Sequence, residues 1–179
     1  MPKGVHAMSE NAARHATPVE LLARLEALGL KTCTIRHKPV FTVEEAKLER
    51  GVLAGGHCKS LFLRDRKERM FLVVVLEDRR IDLKKLCDVI GAGRLSFGSA
   101  DRLMRVLGVI PGAVTPFALI NDRQRQVDVV LDADMMRLDP LHYHPLSNDM
   151  TTAIAPGDLL AFIAACGHRP RVLDLAGAA

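Results

Sequence analysis

The chain has 179 residues, a formal net charge of +4 and 49% apolar residues, which supports one domain with a real core and excludes a disordered chain. Trp is absent and aromatics make up 4%, which argues against a surface of stacking platforms for single-stranded nucleic acid. No stretch reaches the roughly 18 uninterrupted apolar residues of a membrane span, and the cysteines at 33, 58, 87 and 166 form no Cys-x-x-Cys pair, so reduced thiols in a cytoplasmic protein are expected rather than a structural zinc site or a disulfide framework.

Residues 1–15 lack the apolar core of a signal peptide and are expected to form a flexible N-terminal extension, with Met8 as an alternative start. Residues 16–179 are expected to form a single domain. Thr17-Pro-Val-Glu20 is a capping box with Pro at the first helical position, and Leu21, Leu22, Leu25 and Leu28 continue at helical spacing until Gly29. A strand follows at Thr32–Arg36. Thr42-Val-Glu-Glu45 is a second capping box, opening a short helix that ends before Gly51. Lys59–Arg64, the charged turn Asp65–Glu68 and Met70–Leu76 make a β-hairpin, and the unalternating MFLVVVL predicts a strand buried on both faces.

Asp82 caps a helix over Leu83–Ile90, closed by Gly91. Arg94–Phe97 is a short strand, and Ser99 opens a helix with Leu103, Val106 and Leu107 on one face. Phe117–Ile120 and Val127–Leu131, joined through Asn121-Asp122-Arg123, are predicted to form a second hairpin. A helical turn near Asp132–Leu138, two short strands within LHYHPLSNDMTTAI, a helix opened by Pro156 and ended by Gly167, and a strand at Val172–Leu175 complete the chain. The fold class expected is α+β (mixed α/β): a central, mainly antiparallel sheet surrounded by helices.

The residues themselves offer several candidate sites. On a strand, Lys59 lines up with Leu61 and Leu63, so its ammonium either leaves the sheet at its end or enters a cleft as a fixed charge. His142 and His144 are two apart and face one way, half of a metal site, but no carboxylate pattern completes it and no metal or other cofactor is expected. No Gly-x-Ser-x-Gly elbow, Walker loop or Gly-x-Gly-x-x-Gly occurs, and Cys58 beside His57 is no catalytic pair, because adjacent strand residues face opposite ways. Basic residues cluster at Arg64, Arg66, Lys67 and Arg69, at Arg79, Arg80, Lys84 and Lys85, at Arg102 and Arg105, and at Arg169 and Arg171. Each cluster suits a solvated surface; together they suit phosphate contacts. GVIPGAVTPFALI, Gly108–Ile120, concentrates two glycines and two prolines in an apolar setting, as either a helix-to-strand connection or a rigid loop meeting a ligand.

Three separated motifs, CKSLFLRDRKERMFLVVV, GVIPGAVTPFALIND and HYHPLSNDMTTAIAPGDLLAFI, occur in the order found in the freestanding prolyl-tRNA editing family, and the chain from about Val19 to Leu175 resembles that family. The resemblance implies the YbaK-like fold, related to the editing domain inserted in bacterial prolyl-tRNA synthetases, and is nearest to the trans-editing deacylases that clear alanine from tRNA(Pro). Residues 1–15 have no counterpart in it. It places the family's strand lysine at Lys59, its Gly-x-x-x-Pro loop at Gly112-Ala-Val-Thr-Pro116, and its His-Pro and following Asn at His144, Pro145 and Asn148.

From this resemblance Lys59, Gly112 and His144 are expected to be catalytic. Ala113, Val114, Thr115, Pro116, Pro145 and Asn148 are expected to bind the aminoacyl group, and Arg64, Arg66, Lys67 and Arg80 to bind tRNA. The partners implied are the acceptor end of tRNA(Pro) and, as a second candidate, a prolyl-tRNA synthetase; no membrane is involved. The activity implied is hydrolysis of the ester of mischarged tRNA(Pro), most readily Ala-tRNA(Pro). The alternatives are a deacylase for cysteine or another small amino acid, and a nucleic-acid-binding module without catalysis.

Overall fold

The computed structural model describes residues 14–50 and 53–179. In chain order the elements are α1 (Pro18–Ala27), β1 (Thr32–Arg36), α2 (Val43–Arg50), β2 (Gly56–Arg64), β3 (Met70–Leu76), α3 (Leu83–Ile90), β4 (Ser96–Phe97), α4 (Ala100–Leu107), β5 (Val127–Asp132), β6 (Leu141–Tyr143), β7 (Met150–Ile154), α5 (Pro156–Ala165) and β8 (Arg171–Leu173). Short 3-10 turns lie at Pro116–Ile120, Met135–Arg137 and Ala176–Ala178. No helix among the described residues is long and apolar enough to cross a membrane. The expected extension at 1–15 falls mostly outside the described residues, but Arg14 and His15 do not: Arg14 pairs with Glu20, and His15 Nε2 lies 3.3 Å from the Arg105 carbonyl.

The helix starts follow the local chemistry. Thr17 Oγ1 accepts from the Glu20 amide at 3.3 Å while Glu20 Oε2 accepts from the Thr17 amide at 2.7 Å. At α2 the Glu45 amide donates to Thr42 Oγ1 at 3.1 Å, and Glu45 Oε2 accepts from the Phe41 amide at 2.7 Å. Asp82 and Ser99 cap α3 and α4. These bonds satisfy amide groups that the first helical turn leaves without partners.

The eight strands form one mixed sheet in the order β1-β7-β6-β2-β3-β5-β8, with β4 paired to β2 beside that path. Four ladders are antiparallel and three are parallel. Strand β3 is buried on both faces, as its unalternating sequence predicts. Leu72 and Val74 join one apolar cluster, with α1, α4 and α5; Phe71, Val73 and Val75 join another, with Leu86 and Ile90 of α3 and Leu175.

The expected second hairpin is not formed. Pro116–Ile120 is a 3-10 turn, and β5 runs parallel to both β3 and β8. Pro116 presets the first helical φ, and Thr115 Oγ1 accepts from the Phe117 amide at 3.3 Å. Phe117, Ala118 and Leu119 are then buried as a plug rather than as a strand. Phe117 meets Tyr143 and Phe162 edge-on, with centroids 5.9 and 5.4 Å away. The loop that precedes this plug is thereby fixed to the core at Pro116. Phe117→Ala is expected to cost about 3–5 kcal/mol of stability, read as a lower midpoint in urea unfolding; a change under about 1 kcal/mol would show that the plug carries little of the core.

Candidate functional site

Strand β2 is fully laddered to β3 over 58–64, but its other edge is paired only at its ends: Gly56 and His57 to β6, and Leu63 and Arg64 to β4. The Phe62 carbonyl accepts from the Gly98 amide at 2.9 Å on that outer side. Strand alternation then turns the backbone groups of Ser60 toward the same edge, in the stretch where neither strand reaches. Here lies a cleft of about 160 Å³ lined by Val40–Val43, Cys58, Lys59, Ser60, Glu77, Gly112, Val114 and His144.

The wall at Val40–Val43 is held from two directions. The Val40 amide donates to the Asn148 carbonyl at 3.0 Å, and Asn148 Nδ2 donates back to the Val40 carbonyl at 2.9 Å. Glu45, in the first turn of α2, holds the Phe41 amide. The opposite rim is the Gly112 turn. Gly112 has φ +90°, which an L side chain rarely tolerates, whereas a Cβ there would meet Phe41 only at an ordinary 3.7 Å; conformation, not space, requires this glycine. The Ala113 amide closes the turn onto the Ile110 carbonyl at 3.0 Å. Among the described residues the Gly112 and Val114 amides, both at cleft-lining positions, donate to no protein acceptor.

Electrostatics sort the titratable groups. Burial pulls the Lys59 ammonium below its ordinary range, opposed by the Asp78 and Glu77 carboxylates and reinforced by Lys47. Burial likewise pulls His144 below the ordinary 6.5, opposed by its contact with the Met150 carbonyl. That carbonyl lies 2.7 Å from Nδ1 and can only accept, so Nδ1 carries the proton and Nε2 of the neutral ring bears a lone pair. Burial pushes the Cys58 thiol up to about 12, so it stays protonated and is no nucleophile near neutrality. Ser60 Oγ is buried and has no hydrogen-bond partner among the described residues, a rare state for a buried hydroxyl.

Of the expected catalytic positions, Lys59, Gly112 and His144 share this cleft, and of the expected substrate-binding positions Val114 does. Ala113, Thr115, Pro116 and Pro145 are buried and do not line it. Asn148 stands behind the Val40 wall, and its amide donates to that wall instead of facing an open pocket. Cys58, Ser60, Glu77 and Val40–Val43 were not signalled by sequence as cleft residues. Only the second capping box, by fixing where the loop before α2 ends, pointed toward that wall.

Among the expected tRNA contacts, Arg64 pairs with Glu68 at 2.6 Å. Arg66, Lys67 and Arg80 are exposed. Arg64 lies five residues along β2 from Lys59, about 16 Å at the rise of a strand, whereas Arg80 follows β3 at the end where Val75 pairs with Lys59. Much of the remaining basic excess is engaged within the protein: Arg79 with Asp132 at 2.8 Å, Arg102 with Glu68 at 2.5 Å, Arg69 with Asp65 at 2.8 Å. His142 and His144 do not converge, since His142 Nε2 meets the Ala54 carbonyl at 2.8 Å. Among the described residues no group of three His, Cys, Asp or Glu could hold a metal ion.

Residues 37–162 match the family model of the aminoacyl-tRNA editing domain. The chain is 39% identical to prolyl-tRNA synthetase associated domain-containing protein 1 of Danio rerio, over 95% of this chain and 96% of that protein. It is 37% identical to the prolyl-tRNA editing protein ProX of Acetoanaerobium sticklandii, over 87% of this chain and 95% of that protein. A solved structure of hypothetical protein APE2540 superposes with a TM-score of 0.69 at 20% identity, over 88% of this chain and 99% of that one, a likeness of fold. The chain therefore belongs to the aminoacyl-tRNA editing domain family.

Two measurements check these electrostatics. In an NMR titration His144 is expected to carry its proton on Nδ1 and to titrate below 6.5. Its folded value is depressed, so its contribution to stability is full above the unfolded value and is lost as pH falls through the folded one; a midpoint above 6.5 would contradict this. In the native protein at pH 8, iodoacetamide is expected to label exposed Cys33 at least about tenfold faster than Cys58; equal rates would contradict a protonated, buried thiol.

Proposed function

We propose that the protein is an aminoacyl-tRNA deacylase that hydrolyses the ester of mischarged tRNA(Pro) in trans, with alanine as the acyl group. The observation that carries this reading is the shared cleft of Lys59, His144 and the Gly112–Val114 turn, where the amides of the lining residues Gly112 and Val114 have no acceptor among the described residues. The names of the relatives support the tRNA: one is a prolyl-tRNA editing protein, and another is called prolyl-tRNA synthetase associated. A prolyl-tRNA synthetase is accordingly a candidate partner.

An aminoacyl ester is already activated, so water needs placement and the developing charge needs donors, more than a strong nucleophile is needed. The Gly112 and Val114 amides supply donors for the oxyanion of the tetrahedral intermediate, and their turn is held in advance by Pro111, Pro116 and the buried Phe117. The terminal ribose 2′-hydroxyl orients the attacking water. Lys59 holds the phosphate of the terminal adenosine as a point charge. His144 offers its Nε2 lone pair to the α-ammonium of the acyl group, which a neutral ring can accept and an imidazolium cannot. Cys58 contributes shape only, so no thioester intermediate forms.

The choice of alanine follows from a limit of recognition rather than from the volume of the cleft, which is about 160 Å³. A synthetase pocket built for proline rejects a smaller side chain by only about 1–3 kcal/mol per missing methylene. A second, tighter site can exclude proline by overlap while admitting alanine. Deacylation of a panel of charged tRNAs, with amino acid and tRNA varied separately, tests the reading. Ala-tRNA(Pro) is expected to be cut and Pro-tRNA(Pro) spared. Preference for cysteine would change the acyl group assigned, and binding of tRNA without hydrolysis would replace the deacylase with a binding module. Lys59→Ala is expected to lower kcat/KM by about 10- to 100-fold, the worth of a charge-assisted contact; an unchanged value would remove Lys59 from phosphate binding.

A further inference from the structure

The aromatic residues of this chain are few, and most are buried. Tyr143, Phe62, Phe71, Phe117 and Phe162 lie in the core. Two phenylalanines are exposed, Phe41 at 63% and Phe97 at 62%, and they stand in different places. Phe97 pairs with Leu63 near the far end of β2. Phe41 borders the cleft. Exposure alone is ordinary for a single aromatic residue; what distinguishes Phe41 is that it stands at the cleft, with exposed Ile110 opening the turn opposite.

The backbone beneath Phe41 is fixed. Its amide is held by Glu45, and the residue before it is clasped on both sides by Asn148. Across from it is the Gly112 turn, close enough that a Cβ at Gly112 would lie 3.7 Å from Phe41 Cδ1. That turn opens with Ile110, itself 46% exposed. The rim of the cleft is therefore apolar and rigid, while Lys59 beside it is cationic. An apolar face next to a cation suits a nucleotide, which joins a flat base to a phosphate.

The covalent geometry of the substrate selects which base. An acyl group on the terminal ribose enters the cleft, the ribose stays at the mouth, and the base attached to that ribose falls on the rim. We propose that Phe41 is a stacking platform for the 3′-terminal nucleobase of the RNA whose ester enters the cleft. This rests on the deacylase reading above and adds to it the residue that positions the RNA end. Stacking needs only the face of the base, so Phe41 fixes position without reading sequence.

The chain contains no Trp, so Phe41→Trp introduces a single fluorophore at the rim. Uncharged RNA hairpins ending in CCA are expected to quench it saturably. The same RNA with an abasic 3′-terminal residue is expected to bind about 5- to 150-fold more weakly, the range of one stacked base. With charged tRNA, Phe41→Ala is expected to raise KM by a similar factor at nearly constant kcat, and Phe41→Tyr to restore it, with circular dichroism confirming the fold of each variant. No saturable quenching, equal affinity for the abasic RNA, or a loss confined to kcat overturns the platform. Quenching by a prolyl-tRNA synthetase but not by RNA overturns it in favour of a protein contact. Because the fluorescence assay uses uncharged RNA and the panel of charged tRNAs measures hydrolysis, an absent platform and an absent deacylase give different results.

Discussion

Strand β2 has a complete ladder on one side and an interrupted one on the other. Its two outer neighbours, β6 and β4, touch only its ends. A sheet edge left open inside a folded domain exposes peptide groups that must find partners, and around this opening the loop at Val40–Val43, the Gly112 turn and the end of β6 converge. The opening spans residues 58–62 of β2. Lys59 and Ser60 lie in the stretch of β2 left open by that gap, and among the described residues the buried Ser60 hydroxyl has no partner.

The walls of the opening are held more firmly than surface loops usually are. Asn148 clasps Val40, and Glu45 holds the peptide of Phe41. Pro116 and Phe117 fasten the Gly112 turn to the apolar core. Polar groups near the cleft are pushed toward their neutral forms: burial lowers Lys59 and His144 and raises Cys58. The result is a small, partly dry space with fixed donors and weakened charges. Such an environment strengthens a hydrogen bond to a developing oxyanion, because water competes for it poorly.

Sequence revealed the parts of the fold that are set by neighbours in the chain. Thr17 with Glu20, Thr42 with Glu45, Asp82 and Ser99 each announce a helix, and the hairpin at Asp65–Glu68 is closed by the Asp65 amide on the Arg69 carbonyl at 3.0 Å. It failed at Phe117–Ile120, where four apolar residues carry no periodicity and only Thr115-Pro116 hinted at a helical turn. The parallel pairing of β5 with β3 joins segments more than fifty residues apart, and nothing local encodes it. The site divides in the same way. Lys59, Gly112 and His144 are visible as motifs that resemble a known family, whereas Ser60, Glu77 and Phe41 become cleft residues only through register and tertiary packing. Asn148 is visible as a motif residue, but its task as a clasp is legible only when Val40 is seen opposite it.

Cys58 borders the cleft as a thiol with almost no thiolate character. Peroxides and disulfides react with the ionised sulfur, and the un-ionised form is largely inert to them. Cys58 is therefore a poor target for these oxidants, and this part of the cleft lining does not rely on a reactive sulfur.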